Sequence, residues 1–253
     1  MVAQIPTETT TPVIYPDCDG NPMSDNTKQF RWIVTIKENL ELLSAEDPQV
    51  FIAGDLLWYP VEGDNKIRQA PDVMVVFGRP KGDRGSYRQW VEDNIPPQVV
   101  FEILSPGNRM AEMSRKLHFY DRYGVSEYYI YDPDRIDLAG WVRHEDRLES
   151  ISQGEGSANE DTHNWISPRL GIRFSMQEDT LVIYRPDDRP FLSFVEIDQL
   201  RQQAQQETQQ ARQETQQARQ ETQQARQEIL QVEQQAEKLA AKLRELGIDP
   251  NDL

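Results

Sequence analysis

Two carboxylates sit where carboxylates are out of place. Asp72 heads the run Ala-Pro-Asp-Val-Met-Val-Val-Phe, and Glu102 stands inside Gln-Val-Val-Phe-Glu-Ile-Leu-Ser-Pro. Short runs of Val, Ile and Phe bounded by Pro and Gly have the pattern of strands buried on both faces. An acid buried alone in such a strand is costly, or takes up a proton. A divalent cation with a lysine beside it compensates economically. Hard cations take oxygen ligands, and Mg²⁺ usually takes one or two carboxylates with water completing the shell. The chemistry this set could do is phosphodiester hydrolysis, with the lysine helping to activate water or to neutralise developing charge.

A lysine two residues after Glu102 would share its face, because strand side chains alternate. That position is Leu104. The nearest substitute is Lys116, beside the apolar row Met113, Leu117 and Tyr120, where its stem can run along apolar surface toward the acids. The same three residues would equally make a buried ion-pair cluster without catalysis, and their types alone leave both readings open.

The elements that must position them follow from periodicity. A helix is expected over Thr27 to Leu43, capped by Ser24, Asp25 or Asn26, with a stripe of Phe30, Ile33, Ile36, Leu40 and Leu43. Gln29 falls within that stripe; it is either half exposed in the first turn or turned toward the acidic site. After Asp47-Pro48 comes a strand interrupted at Gly54-Asp55 and ended by Pro60. The Asp72 and Glu102 strands follow, then a helix from Asn108 to Tyr123 and a third apolar run from Glu127 to Tyr131. Glu127 reads more readily as an anchor of that strand's end than as a metal ligand. Beyond Pro133 a hairpin is expected across His144-Glu145-Asp146, then a polar loop over 152–164. Further strands at Gly171–Phe174, Thr180–Tyr184 and Phe191–Val195 would extend the sheet. Residues 78–96 form a polar loop carrying Arg79, Lys81, Arg84 and Arg88 with Tyr87 and Trp90 between them. This loop is either a phosphate- and base-contacting cluster or a solvated connection.

The chain of 253 residues suits one core plus an appendage. Its single cysteine, Cys18, permits no intrachain disulfide and fits a reducing, cytoplasmic setting. No apolar stretch is long enough for a membrane span, and no signal peptide is expected at the N-terminus. The net charge is −16; residues from Gln199 onward carry 7 basic and 9 acidic side chains, leaving −14 on the rest. That balance is awkward for a nucleic-acid binder.

The tail repeats Glu-Thr-Gln-Gln-Ala-Arg-Gln three times without change, from Glu207 to Gln227. The period of seven continues beyond the repeat. One seam position holds Thr208, Thr215, Thr222, Ile229, Ala236 and Leu243; the other holds Ala211, Ala218, Ala225, Val232, Leu239 and Leu246. Glu207, Glu214 and Glu221 flank the seam on one side, and Arg212, Arg219 and Arg226 on the other. A homo-oligomer, with a parallel dimer favoured through 201–246, matches Glu to Arg across strands; another partner or a lone solvated helix are the alternatives.

The ordered string Pro71-Asp72, Val99 to Pro106, Lys116-Leu117 with Tyr120, Tyr123-Gly124-Val125, Glu127-Tyr128-Tyr129 and Asp132-Pro133 resembles the Uma-two family of restriction-type endonucleases in the PD-(D/E)XK superfamily. The resemblance covers roughly Thr27 to Val195. It implies an α/β (α+β) fold, a mixed sheet flanked by helices, with a divalent metal, Mg²⁺ or Mn²⁺, at Asp72 and Glu102. It also implies that Lys116 is the family's displaced lysine and that Gln29 and Asp55 lie at the site edge. The expected organisation is a mobile arm over 1–24, a nuclease-like domain over 25–198 and a heptad tail over 199–253. The implied activity is metal-dependent cleavage of DNA; the alternative is a non-catalytic scaffold or regulator acting through the tail.

Overall fold

A computed structural model describes residues 13–18, 26–107, 110–151 and 164–245, with side chains to 242. The expected arm over 1–24 lies largely outside these residues. So do the caps Ser24 and Asp25, the helix start at Asn108, nearly all of the loop at 152–164, and the last seam leucines. The chain divides into two compact units, 1–193 and 194–253.

The first unit opens with α1 (Thr27–Leu43), whose N-cap is Asn26: its side chain accepts the Gln29 N–H at 2.7 Å. Ten strands follow among the described residues: β1 (Val50–Gly54), β2 (Trp58–Tyr59), β3 (Val73–Phe77), β4 (Tyr87–Arg88), β5 (Val99–Ile103), β6 (Glu127–Asp132), β7 (Asp137–His144), β8 (Arg147–Ser150), β9 (Arg173–Met176) and β10 (Leu181–Tyr184). Helix α2 (Met110–Arg122) links β5 to β6. Six strands form the main sheet in the order β1-β3-β5-β6-β7-β8. Only β5 and β6 run parallel, as a crossover through a helix requires; the other neighbours are antiparallel.

Alternation sorts the strand residues between two cores. Val73, Val75, Val99, Phe101 and Ile103 join Ile33, Ile36 and Leu40 of α1 on one face. Met74, Val76, Val100, Tyr128 and Ile130 join Met113 and Tyr120 of α2 on the other. Burial on both faces explains why β3 and β5 read as unbroken apolar runs. Lys28 Nζ, at the start of α1, donates to the Pro133 carbonyl at 2.5 Å and pairs with Asp134 at 2.9 Å. These contacts tie the helix start to the β6–β7 turn.

Three expectations are corrected. Phe30, placed in the α1 stripe by the wheel, is 57% exposed, whereas Gln29 beside it is buried at 7%. Strands β9 and β10 do not extend the main sheet; they pair with each other, and Phe174, Leu181 and Ile183 pack into the α1-side core. The segment from Phe191 is no strand either. Phe191 donates its N–H to Ile183 O at 2.7 Å, and α3 begins three residues later, at Phe194.

The second unit is α3 (Phe194–Glu245), one helix of 52 residues and so about 78 Å long at ~1.5 Å per residue. Among the described residues, no helix is long and apolar enough to cross a membrane.

Candidate active site

The register of the sheet brings the two acids together. Val73 of β3 pairs with Phe101 of β5, so the same register carried one residue further sets Asp72 opposite Glu102. Both share the parity of Met74 and Val100, the α2 face. Like charges directly across a sheet repel, and a cation must offset them. Lys116 supplies it: its Nζ lies 2.7 Å from Glu102 Oε2, with the two side chains only 13% and 2% exposed. The other carboxylate oxygen, Oε1, accepts from the Tyr120 hydroxyl at 2.5 Å. Lys116 and Tyr120 are four residues apart and therefore stand one above the other on α2.

Asp72 does something different. Its Oδ2 accepts the Ile103 N–H at 2.6 Å. The residue facing Ile103 in the extended register is Pro71, which has no N–H and lies beyond the end of β3. A carboxylate therefore closes the ladder where the backbone pairing stops. On the other side of the same residue, Gln29 Nε2 donates to the Ile103 carbonyl at 2.9 Å. Ile103 is thus held by Asp72 at its N–H and by the first helix at its carbonyl. The buried amide in the α1 stripe is explained by this contact; the half-exposed reading of Gln29 does not hold. Asp55 follows β1 with φ 48°, and its N–H bonds the carbonyls of Pro71 and Asp72 at 3.1 and 3.3 Å. Its backbone adjoins Asp72, and the residue is exposed.

Burial pushes the Glu102 carboxyl above its ordinary range, against the pull of the Lys116 ammonium and the Tyr120 hydroxyl; Glu112, one turn before Lys116, adds to the rise. Burial draws the Lys116 ammonium down, but Glu102, with Asp72 and Glu112, outweighs it and the net shift is upward. The lysine therefore keeps its proton. The Tyr120 phenol is driven well above its ordinary range by burial and by Glu102, so it keeps the proton that it donates to Glu102. An aromatic wall shields the cluster: Trp58 stacks on Tyr120 at 6.4 Å between centroids, and Tyr128 meets it edge-on at 4.9 Å. The Tyr128 hydroxyl is buried without a hydrogen-bond partner among the described residues. Sequence reasoning placed Tyr120 in an apolar row and missed its role toward Glu102; the four-residue spacing from Lys116 was the available signal.

No three His, Cys, Asp or Glu side chains gather as a metal cluster among the described residues. Asp72 and Glu102 face each other across the strand pair, and Ile103, whose N–H Asp72 accepts, carries a carbonyl beside them in sequence; carboxylate and carbonyl oxygens are the donors that a hard divalent cation takes, with water completing its shell.

The other sequence candidates lie apart. Arg79 and Arg84 both pair with Glu92, at 2.8 and 2.7 Å, and Arg79 also with Asp93. The Arg84 guanidinium lies 3.9 Å over the Phe51 ring, and Lys81 pairs with Glu41 at 3.4 Å. Arg79 and Lys81 bond the backbone of Gln49 and Pro48, ahead of β1, whereas Asp55 bonds Asp72 at its far end, about 20 Å of strand away. Arg88 is exposed on β4, but Tyr87 is fully buried and Trp90 packs on Tyr15 at 4.8 Å. Glu127 stands at the opposite end of the sheet from Glu102. It is buried and anchors the 167–171 turn, accepting from Ser167 Oγ, Tyr129 Oη and the Arg169 N–H at 2.5, 2.8 and 2.6 Å.

A mixed sheet with α1 on one face and α2 on the other is a restriction-endonuclease-like fold. The family model Uma2, described as "Putative restriction endonuclease", matches residues 20–177, and the chain belongs to this family. Among solved structures, it is similar to a protein from Anabaena variabilis ATCC 29413 titled a putative nuclease belonging to DUF820. That match is 15% identical with a TM-score of 0.44, covering 64% of this chain and 86% of the other. No curated protein matches the sequence.

Proposed function

We propose that the chain is a divalent-metal-dependent endonuclease that hydrolyses DNA phosphodiester bonds at Asp72, Glu102 and Lys116. The observation that carries this reading is the facing pair of carboxylates, one of them buried and bound to a lysine. Asp72, Glu102 and the Ile103 carbonyl would hold Mg²⁺ or Mn²⁺, which supplies Lewis-acid stabilisation of the phosphate and a more acidic water. Gln29 fixes the direction of the Ile103 carbonyl. Tyr120 fixes the rotamer of Glu102 and leaves the carboxylate a second lone pair on each oxygen. Lys116, kept protonated by Glu102, brings a positive charge to the place where charge develops on the phosphate.

The test is nicking of supercoiled DNA with Mg²⁺ or Mn²⁺, beside calorimetric titration of each ion. Asp72→Asn and Glu102→Gln remove charge while keeping shape. Loss of both binding and nicking in these variants is expected; nicking at the wild-type rate in either variant refutes the assignment. A net charge of −16, with Arg79 and Arg84 committed to Glu92, favours a second reading, a non-catalytic regulator on the same fold. Absence of metal binding in the wild type would support that reading.

A further inference from the structure

We propose that α3 is a self-recognition element: two copies of this chain pair through it as a parallel, in-register, two-stranded coiled coil. The charges carry the argument. Within each repeat, Glu precedes Arg by five residues, and Arg precedes the next Glu by two. Neither spacing lets the charges meet along one helix, where neighbours lie three or four apart. Among the described residues, Glu214, Glu221, Arg212, Arg219 and Arg226 accordingly form no ion pair, and the one on α3 is Arg201–Asp198. A five-residue offset is the spacing at which a flanking residue of one strand meets the opposite flank of a parallel partner. Antiparallel pairing would set Glu against Glu and Arg against Arg.

The seam between these flanks suits the same partner. Thr208, Thr215 and Thr222 turn their hydroxyls onto the carbonyls of Ala204, Ala211 and Ala218, each at 2.8 Å. The hydroxyls are thereby satisfied within the helix, and each Thr presents a methyl group to the seam. This small-residue stripe would not specify a partner by itself. Further along, Ile229, Val232 and Leu239 stand 59%, 65% and 66% exposed on the same seam. β-branched Thr and Ile occupy the first seam position from Thr208 to Ile229, and Leu239 follows Ala and Val232 in the second; β-branched first positions with Leu in the second favour two strands.

Identical repeats permit a slip of one heptad, and the charges hardly oppose it, because Glu228 would then reach Arg226 instead of facing Glu233. The apolar section does oppose it. A slip sets Ile229 against Thr222 and Ala236, and Val232 against Ala225 and Leu239, mismatching volumes that are paired when in register. Register is therefore set by Ile229 to Leu239, and the Thr/Ala repeats follow. The pairing carries two copies of the first unit in one particle and is independent of what that unit catalyses.

The test uses the full chain in a Cys18→Ser background. Sedimentation at micromolar concentration is expected to give twice 29.4 kDa; a single-chain or three-chain mass overturns the proposal. Ala218→Cys, at the seam, is expected to cross-link to itself on oxidation. No cross-link overturns the parallel pairing, and a comparable yield between an Ala218→Cys copy and a tagged Ala225→Cys copy overturns the register. Val232→Asp with Leu239→Asp is expected to give the single-chain mass, whereas Gln227→Asp with Gln234→Asp, on the opposite helix face, keeps the double mass. Equal masses for both variants overturn the seam assignment.

Discussion

Replacing Lys116 by Met removes the cation between two facing carboxylates while keeping most of the stem's volume. Glu102, 2% exposed, then keeps only the Tyr120 hydroxyl, with Asp72 across the strand. Removing one partner of a buried pair costs ~3–5 kcal/mol, against a total stability of ~5–15 kcal/mol for a domain. The cost depends on pH, and its sign follows from the direction of the shift. Glu102 already titrates above its ordinary 4.5 in the folded chain, and loss of Lys116 raises it further. A carboxyl raised by folding binds more protons folded than unfolded, so its contribution is fully present below the unfolded value and is lost as pH rises through the folded one. In the wild type, Lys116 stands above its ordinary 10.5, so the ammonium that sustains the pair persists across the neutral range and is lost only on the alkaline side. Lys116→Met is therefore expected to lose stability as pH rises from 5 toward 8, with most of the ~3–5 kcal/mol appearing at the upper end. Glu102→Gln in the same chain removes the stranded charge and is expected to restore much of the loss at pH 8. Urea unfolding followed by tryptophan fluorescence reads this directly, because all five tryptophans lie in the first unit and Trp58 stacks on Tyr120. Equal losses for Lys116→Met at pH 5 and pH 8, with no recovery in the double variant, would refute the ion-pair account.

Three further outcomes are expected. Tyr120→Phe keeps the ring against Trp58 and deletes one hydrogen bond to a charged acceptor, so it should cost ~1.5–3 kcal/mol in the same unfolding assay. Gln29→Ala leaves the Ile103 carbonyl without its donor and should cost ~1–3 kcal/mol; if divalent ions bind at that carbonyl, their calorimetric affinity falls as well. Glu127→Gln sets an amide among three donors, from Ser167, Tyr129 and the Arg169 backbone, and should cost about 1–3 kcal/mol. Hydrogen exchange is expected to quicken at 167–171 in that variant, while the calorimetric response to divalent ions stays as in the wild type.

What the sequence determined by itself is whatever consecutive residues encode. The apolar runs Val73–Phe77 and Val99–Ile103 were enough to make two strands, side-chain alternation was enough to give Glu102 a face, and heptad spacing was enough to make α3 a helix with one seam. The four-residue step from Lys116 to Tyr120 is equally local. The remainder depended on which distant segments meet. Gln29 and Phe30 adjoin in the first turn of α1, yet the amide is buried and the ring exposed, because the helix start crosses the end of β5 where the Ile103 carbonyl needs a donor. The arginines of the 78–96 loop resemble a phosphate-binding cluster until the chain turn brings Glu92 back between Arg79 and Arg84. Periodicity places a side chain on a face; only tertiary contacts decide what stands opposite it, because a buried polar group is satisfied by the nearest partner in space and not by the nearest in sequence.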